Sequence, residues 1–244
     1  MKFFDGLYPY EIVMLVLGVL LFLVLILAFV VLVMRGKPYG KLFAFFAIPV
    51  LMVGFPGVKS FEFSESVIKV EKYTRALQVN PTDKNLRESL AKEVASVSAR
   101  PLVDPHVSVT IARAQIALGD NAAADGNVKK ALKEAPQLPA ALELKKRIEL
   151  YRNLAALTSK VEQNPSDTAA KAKLATTVNE VAQLPMASPE TMTNFARAQK
   201  VLGDRSKARV YVDKALTINP NLAPAIQLKK QIRTNTVPGL PDNR

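Results

Sequence analysis

The chain has 244 residues, 49% of them hydrophobic, with only 10 glycines, no tryptophan and no cysteine, and its formal net charge is +12. The absence of cysteine excludes disulfides and cysteine-ligated zinc or iron–sulfur centres. The composition suits a mostly helical protein of one or two modules, and the positive charge brings anionic partners or an anionic membrane surface into consideration.

The first element is apolar. From Ile12 to Val33 no charged residue occurs, and at 1.5 Å per residue such a helix spans about 33 Å, enough to cross a hydrocarbon core. A signal peptide has a shorter apolar core followed by a small-x-small cleavage site, and neither feature is present. Phe3, Phe4, Tyr8 and Tyr10 precede the run as an interfacial aromatic belt. A turn follows at RGKPYGK, residues 35–41, and then a second apolar run, Leu42 to Val58, interrupted by Pro49, Gly54, Pro56 and Gly57. It reads as a second span, with a re-entrant or interfacial segment as the alternative. A proline inside it frees a backbone carbonyl that lipid cannot satisfy, which suits a hairpin packed against another membrane subunit. Arg35, Lys37 and Lys41 in the short loop against Lys2 before the first span favour a cytoplasmic loop with both termini outside, whereas counting Lys59, Lys69, Lys72 and Arg75 after the second span equally would reverse it. For a bacterial inner membrane the favoured orientation puts the C-terminal domain in the periplasm.

From Ser64 onward the chain reads as successive helices punctuated by proline. The expected segments are 65–79, 83–98, 105–118, 121–135 and 138–150, then 151–163, 167–183, 189–202, 205–218 and 222–234. No breaker lies between Leu138 and Gln163, so 138–163 is expected to be one long helix. Leu86, Leu90, Val94 and Val97 recur at helical spacing, as do Leu174, Val178 and Val181. Asp104-Pro105 and Ser188-Pro189 each place a capping side chain before a proline at the first helical position.

These segments repeat. IARAQIALGD begins at residue 111 and FARAQKVLGD at residue 195, an offset of 84 residues, and about a third of the positions in 67–150 and 151–234 are identical without a gap. The expected organisation is therefore residues 1–58 as a membrane hairpin, 59–234 as a helical domain of two 84-residue units, and 235–244 as a flexible tail.

Within each unit one helix pair carries a run of small residues: Ala112, Gly119, Ala124, Ala131 and Pro136, matched by Ala196, Gly203, Ala208, Ala215 and Pro220. This pattern resembles the tetratricopeptide repeat and covers residues 105–136 and 189–220. The resemblance implies two antiparallel helices in close approach, a turn at the glycine and a stop at the proline. Lys69 and Lys160 depart from it where a small residue is expected, and the period of 84 implies an irregular stack. The fold class is then all-α, an N-terminal two-helix transmembrane hairpin followed by a tetratricopeptide-like α-solenoid.

Little catalytic chemistry is visible. His106 is the single histidine, and no phosphate loop, nucleophile elbow or metal-spaced cluster is present, so neither enzymatic activity nor a cofactor or metal is expected. In the family the first helix of a repeat lines a concave surface, so the resemblance implies Arg113, Arg197, Asn194 and Lys200 as candidate partner-binding residues for an acidic or C-terminal peptide segment; the alternative is that the arginines are solvated or pair with neighbouring acids. Residues 59–244 hold +10 of the net charge, and clusters such as Lys129, Lys130 and Lys133 sit late in helices, where the helix dipole favours them. Stacking aromatics are too sparse for nucleic acid; anionic lipid is the better anionic partner. The expected role is a membrane-tethered scaffold or assembly factor that binds another protein, similar in topology to the anchored tetratricopeptide proteins of bacterial cytochrome c maturation, though without their long inter-helix loop. The alternative is an accessory structural subunit held in a larger membrane complex through its hairpin.

Overall fold

The computed structural model describes residues 4–36, 38, 40 and 42–234. Lys2, Phe3, Lys37 and Lys41, used above for orientation and the aromatic belt, and the expected tail from residue 235 lie outside the described residues. Among the described residues there is no strand. The helices are α1 (Pro9–Met34), α2 (Leu42–Phe45), α3 (Ala47–Val79), α4 (Lys84–Ser98), α5 (Pro105–Leu118), α6 (Asn121–Glu134), α7 (Pro139–Gln163), α8 (Thr168–Ala182), α9 (Pro189–Val201), α10 (Arg205–Ile218) and α11 (Ala223–Thr234).

Two helical stretches, Pro9–Met34 and Leu42–Val79, are long and apolar enough to cross a membrane. Their apolar windows are only 6% and 11% buried, so these side chains face outward, unlike those of a core helix in a water-soluble domain. α1 packs against α3, and the crossing is closest at Gly18, where an added Cβ would lie 2.8 Å from Met52 Cβ and 3.0 Å from Val53 Cγ2. A small residue at such a point lets two apolar helices approach closely. Edge-on ring pairs, Phe22 with Phe46 at 5.5 Å and Phe29 with Phe43 at 5.7 Å, continue the contact toward the turn.

One expected boundary is absent. The helix predicted to begin at residue 65 is the end of α3, which runs unbroken from Ala47 to Val79 through Pro56, about 50 Å at the usual rise. Pro49 stands in the first turn, where its missing N–H has no intrahelical partner to lose. Pro56 removes one bond, but a complete break would strand several backbone groups. Ser64, the expected start, instead donates from its Oγ to the Ser60 carbonyl at 2.9 Å.

The remaining boundaries fall within one or two residues of the expected ones, and the caps explain why. Asp83, Asp104, Asp120, Asp167, Ser188 and Asp204 each accept a backbone N–H in the first turn of the helix that follows. Such a cap contributes about 1 kcal/mol. Hydrogen bonding by the Ala170 N–H and by Lys160 holds the Asp167 carboxyl below its usual range, and the Lys207 N–H and side chain do the same for Asp204. Gly119 and Gly203 turn the chain with φ of 101° and 94°, a backbone that glycine adopts without steric cost.

Ala112, Ala124, Ala131, Ala196, Ala208 and Ala215 are all fully buried where α5 meets α6 and α9 meets α10. Leucine at Ala124 or Ala208 should therefore force the pair apart, with an expected loss of about 1–3 kcal/mol. Unchanged thermal melting in both variants would contradict this packing.

Candidate binding surface on the helical domain

The four residues expected to face a partner do not form one group. Arg197 on α9 is held by Glu162 at the end of α7: Nε donates to Oε1 at 2.8 Å, and Nη2 donates to Oε2. This two-pronged, charge-assisted pairing raises the Arg197 pKa. Lys200 turns the other way and donates from Nζ to Gln231 Oε1 of α11 at 2.6 Å. Asn194 lines a cleft of about 300 Å³ together with Asn121 of α6, Tyr151 and Arg152 of α7, and Thr191 of α9. Neither Arg113, Arg197 nor Lys200 lines that cleft.

Arg113 differs from all three. It is half-buried on α5, which packs against α3, and no hydrogen bond or ion pair involves its guanidinium among the described residues. The sequence differs at the corresponding place. Position 162, which supplies the carboxylate to Arg197, corresponds to position 78, and residue 78 is glutamine. The two arginines thus occupy matching positions, one with an internal carboxylate and one without.

Several polar residues not singled out from the sequence hold the domain together. Arg87 of α4 donates from Nη2 to the Ala187 carbonyl at 2.6 Å, tying the first half of the domain to the loop before α9. Burial lowers its pKa, and the nearby charge of Glu190 opposes that shift. Arg147 donates from Nε to Tyr151 Oη at 2.8 Å and from Nη2 to the Pro185 carbonyl. Buried Thr74 and Thr158, also 84 residues apart, each donate to the carbonyl four residues earlier, at 2.7 and 2.6 Å.

A second polar group joins the start of the chain to the helical domain. Asp5 is buried, and its Oδ1 accepts from the Val103 and Asp104 N–H groups, both at 3.1 Å. Glu11, in the first turn of α1, is 1% exposed; it accepts from Tyr8 N at 2.8 Å and from Arg100 Nη1 at 3.2 Å. Arg100 Nη1 also reaches the Gly6 carbonyl at 3.0 Å, and Tyr8 Oη donates to the Ala99 carbonyl at 2.8 Å. Gly6, with φ of 74°, lies flat against the Phe63 ring of α3, where no Cβ would fit. Glu11 and Arg100 are 89 residues apart, so no local pattern announces the pair.

No group of three or more His, Cys, Asp or Glu side chains among the described residues is placed to hold a metal ion. Comparison with protein-family models, with curated proteins and with solved structures finds no match for the chain.

Proposed function

We propose that the chain is a membrane-tethered helical-repeat protein, an irregular tetratricopeptide-like solenoid on a two-pass hairpin, that holds another protein through an acidic side chain or C-terminal carboxylate at Arg113. The observation that carries this reading is the contrast between the two matching arginines. Arg197 displays the occupied form of the site, with Glu162 as an internal carboxylate, and Arg113 offers the same guanidinium open. A partner's carboxylate would take at Arg113 the place that Glu162 takes at Arg197, so Arg197 is a structural residue of this reading. The setting proposed is a bacterial inner membrane with the helical domain on the periplasmic face.

Gln78→Glu tests it, because it puts a carboxylate at the sequence position that corresponds to Glu162. Full-length protein purified in a mild detergent should lose its co-purifying partner in Gln78→Glu and in Arg113→Glu, with helix content unchanged by circular dichroism. Wild-type capture should also weaken with salt, since partly exposed pairs are screened over about 8–10 Å. Full retention of the partner by both folded variants would remove Arg113 as the recognition residue.

A second reading has its own support. Gly54 and Gly57 on α3 have no neighbour within 4 Å of an added Cβ, so a strip of small residues on the apolar helix is open to another helix. In this reading the protein is an accessory subunit of a membrane complex. Leucine at both glycines would then release the partner, while Arg113→Glu would not.

A further inference from the structure

We propose that the α4–α5 loop, residues 99–104, rests on the lipid surface, with the Val103 side chain among the headgroups, so that the helical domain lies against the bilayer rather than hanging from a tether. The proposal rests on the membrane-hairpin reading. The loop is held level with the start of α1 by three independent ties: Asp5 to the Val103 and Asp104 N–H groups, Tyr8 to the Ala99 carbonyl, and Glu11 to Arg100. Phe63 of α3, packed on Gly6, marks the same level on the second helix.

Exposed apolar side chains gather at that level. Val103 is 52% exposed, Tyr10 63% and Phe61 70%, and Phe4 lies beside Asp5 with 45% of its surface open. Water is a poor neighbour for such a group, but the headgroup region accommodates aromatic and aliphatic side chains together. The apolar surface of α1 and α3 is continuous with this zone, which commits the occupant to lipid rather than to another protein.

Charge argues for a particular kind of contact. Among the described residues, basic groups here are matched by acids: Arg100 with Glu11, Lys59 with Glu62 at 2.8 Å, and Lys69 with Glu65 at 2.7 Å. The described residues thus leave little positive charge to seek anionic headgroups, and the contact is apolar, so a zwitterionic bilayer suffices. A partner bound at the helical domain would then have to approach along the membrane plane.

The chain contains no cysteine, which makes single-cysteine labelling clean. Val103→Cys, Val24→Cys in α1 and Val210→Cys in α10 would each carry an environment-sensitive fluorophore on the full chain in phosphatidylcholine vesicles. Nitroxides would be placed at a shallow or a deep acyl position. The label at 103 should shift to the blue and lose fluorescence chiefly to the shallow nitroxide, the label at 24 should lose it to the deep one, and the label at 210 to neither. If 24 is quenched while 103 behaves like 210, the loop does not touch lipid and the proposal falls while the hairpin stands. If 24 is not quenched, the hairpin reading itself fails and takes the loop contact with it.

Discussion

Gly119→Ala should be strongly destabilising, because two separate penalties meet at one methyl group. The backbone there has φ of 101°, and an L-residue forced into left-handed geometry costs about 1–2 kcal/mol. The added Cβ would fall on the Glu190 carboxylate and 2.9 Å from Ser188 Oγ. Ser188 caps α9, its Oγ accepting from the Thr191 N–H and donating to Glu190 Oε2 at 2.7 Å. The methyl therefore pushes on a helix cap and on the junction between the halves of the domain. The Glu190 carboxylate ends a flexible side chain that can swing aside at the loss of its hydrogen bond from Ser188, so the close approach adds about 1 kcal/mol, for a total of about 2–3 kcal/mol. Gly203 supplies the control: its φ is 94°, but nothing lies within 4 Å of an added Cβ, so Gly203→Ala should carry only the backbone penalty. Thermal melting of the two variants under identical conditions measures the difference, and equal losses would mean that the close approach at Glu190 is not maintained.

Arg100→Ala is expected to release the start of the chain from the helical domain. Glu11 is almost wholly buried and has the Arg100 guanidinium as its charged partner, with the Tyr8 N–H as its other donor. Removing one member of a buried ion pair costs about 3–5 kcal/mol, since the other charge is left without compensation. Arg100 keeps 22% of its side chain exposed, so the lower end, about 3 kcal/mol, is the expected loss. The local reporters are the amides of Val103 and Asp104, bonded to Asp5 in the same clasp; their hydrogen exchange should accelerate. Replacing both partners, Arg100→Met with Glu11→Leu, should recover much of the stability, because no buried charge then remains. Slow exchange at both amides in Arg100→Ala would show that the clasp does not depend on the ion pair.

Internal comparison of the two 84-residue stretches also held a clue that a search for shared residues passes over. Arg113 and Arg197 attract notice because they match, yet their difference lies 35 residues upstream, in Gln78 against Glu162. At that position the two similar halves differ in charge. The difference becomes readable once the structure has placed Glu162 on Arg197.

What the sequence determined by itself was set by interactions that act within a few residues. Aspartate or serine before a helix, proline at its first position and glycine after its end place most boundaries, because cap and dihedral preferences belong to the local chain. The single long α7 follows from the same rule, since no breaker interrupts it. The buried alanines are those at which the resemblance to a helical repeat implied close approach. Tertiary structure alone decided the continuity of α3 through Pro56, where retaining the rest of the helix outweighs one lost hydrogen bond. It also decided the clasp of Asp5, Glu11 and Arg100, the reach of Arg87 to Ala187 across 100 residues, and which arginine of a matched pair stays open. These are pairings of polar groups brought together by packing. Their strength comes from burial, and burial is a property of the assembled fold rather than of any stretch of chain.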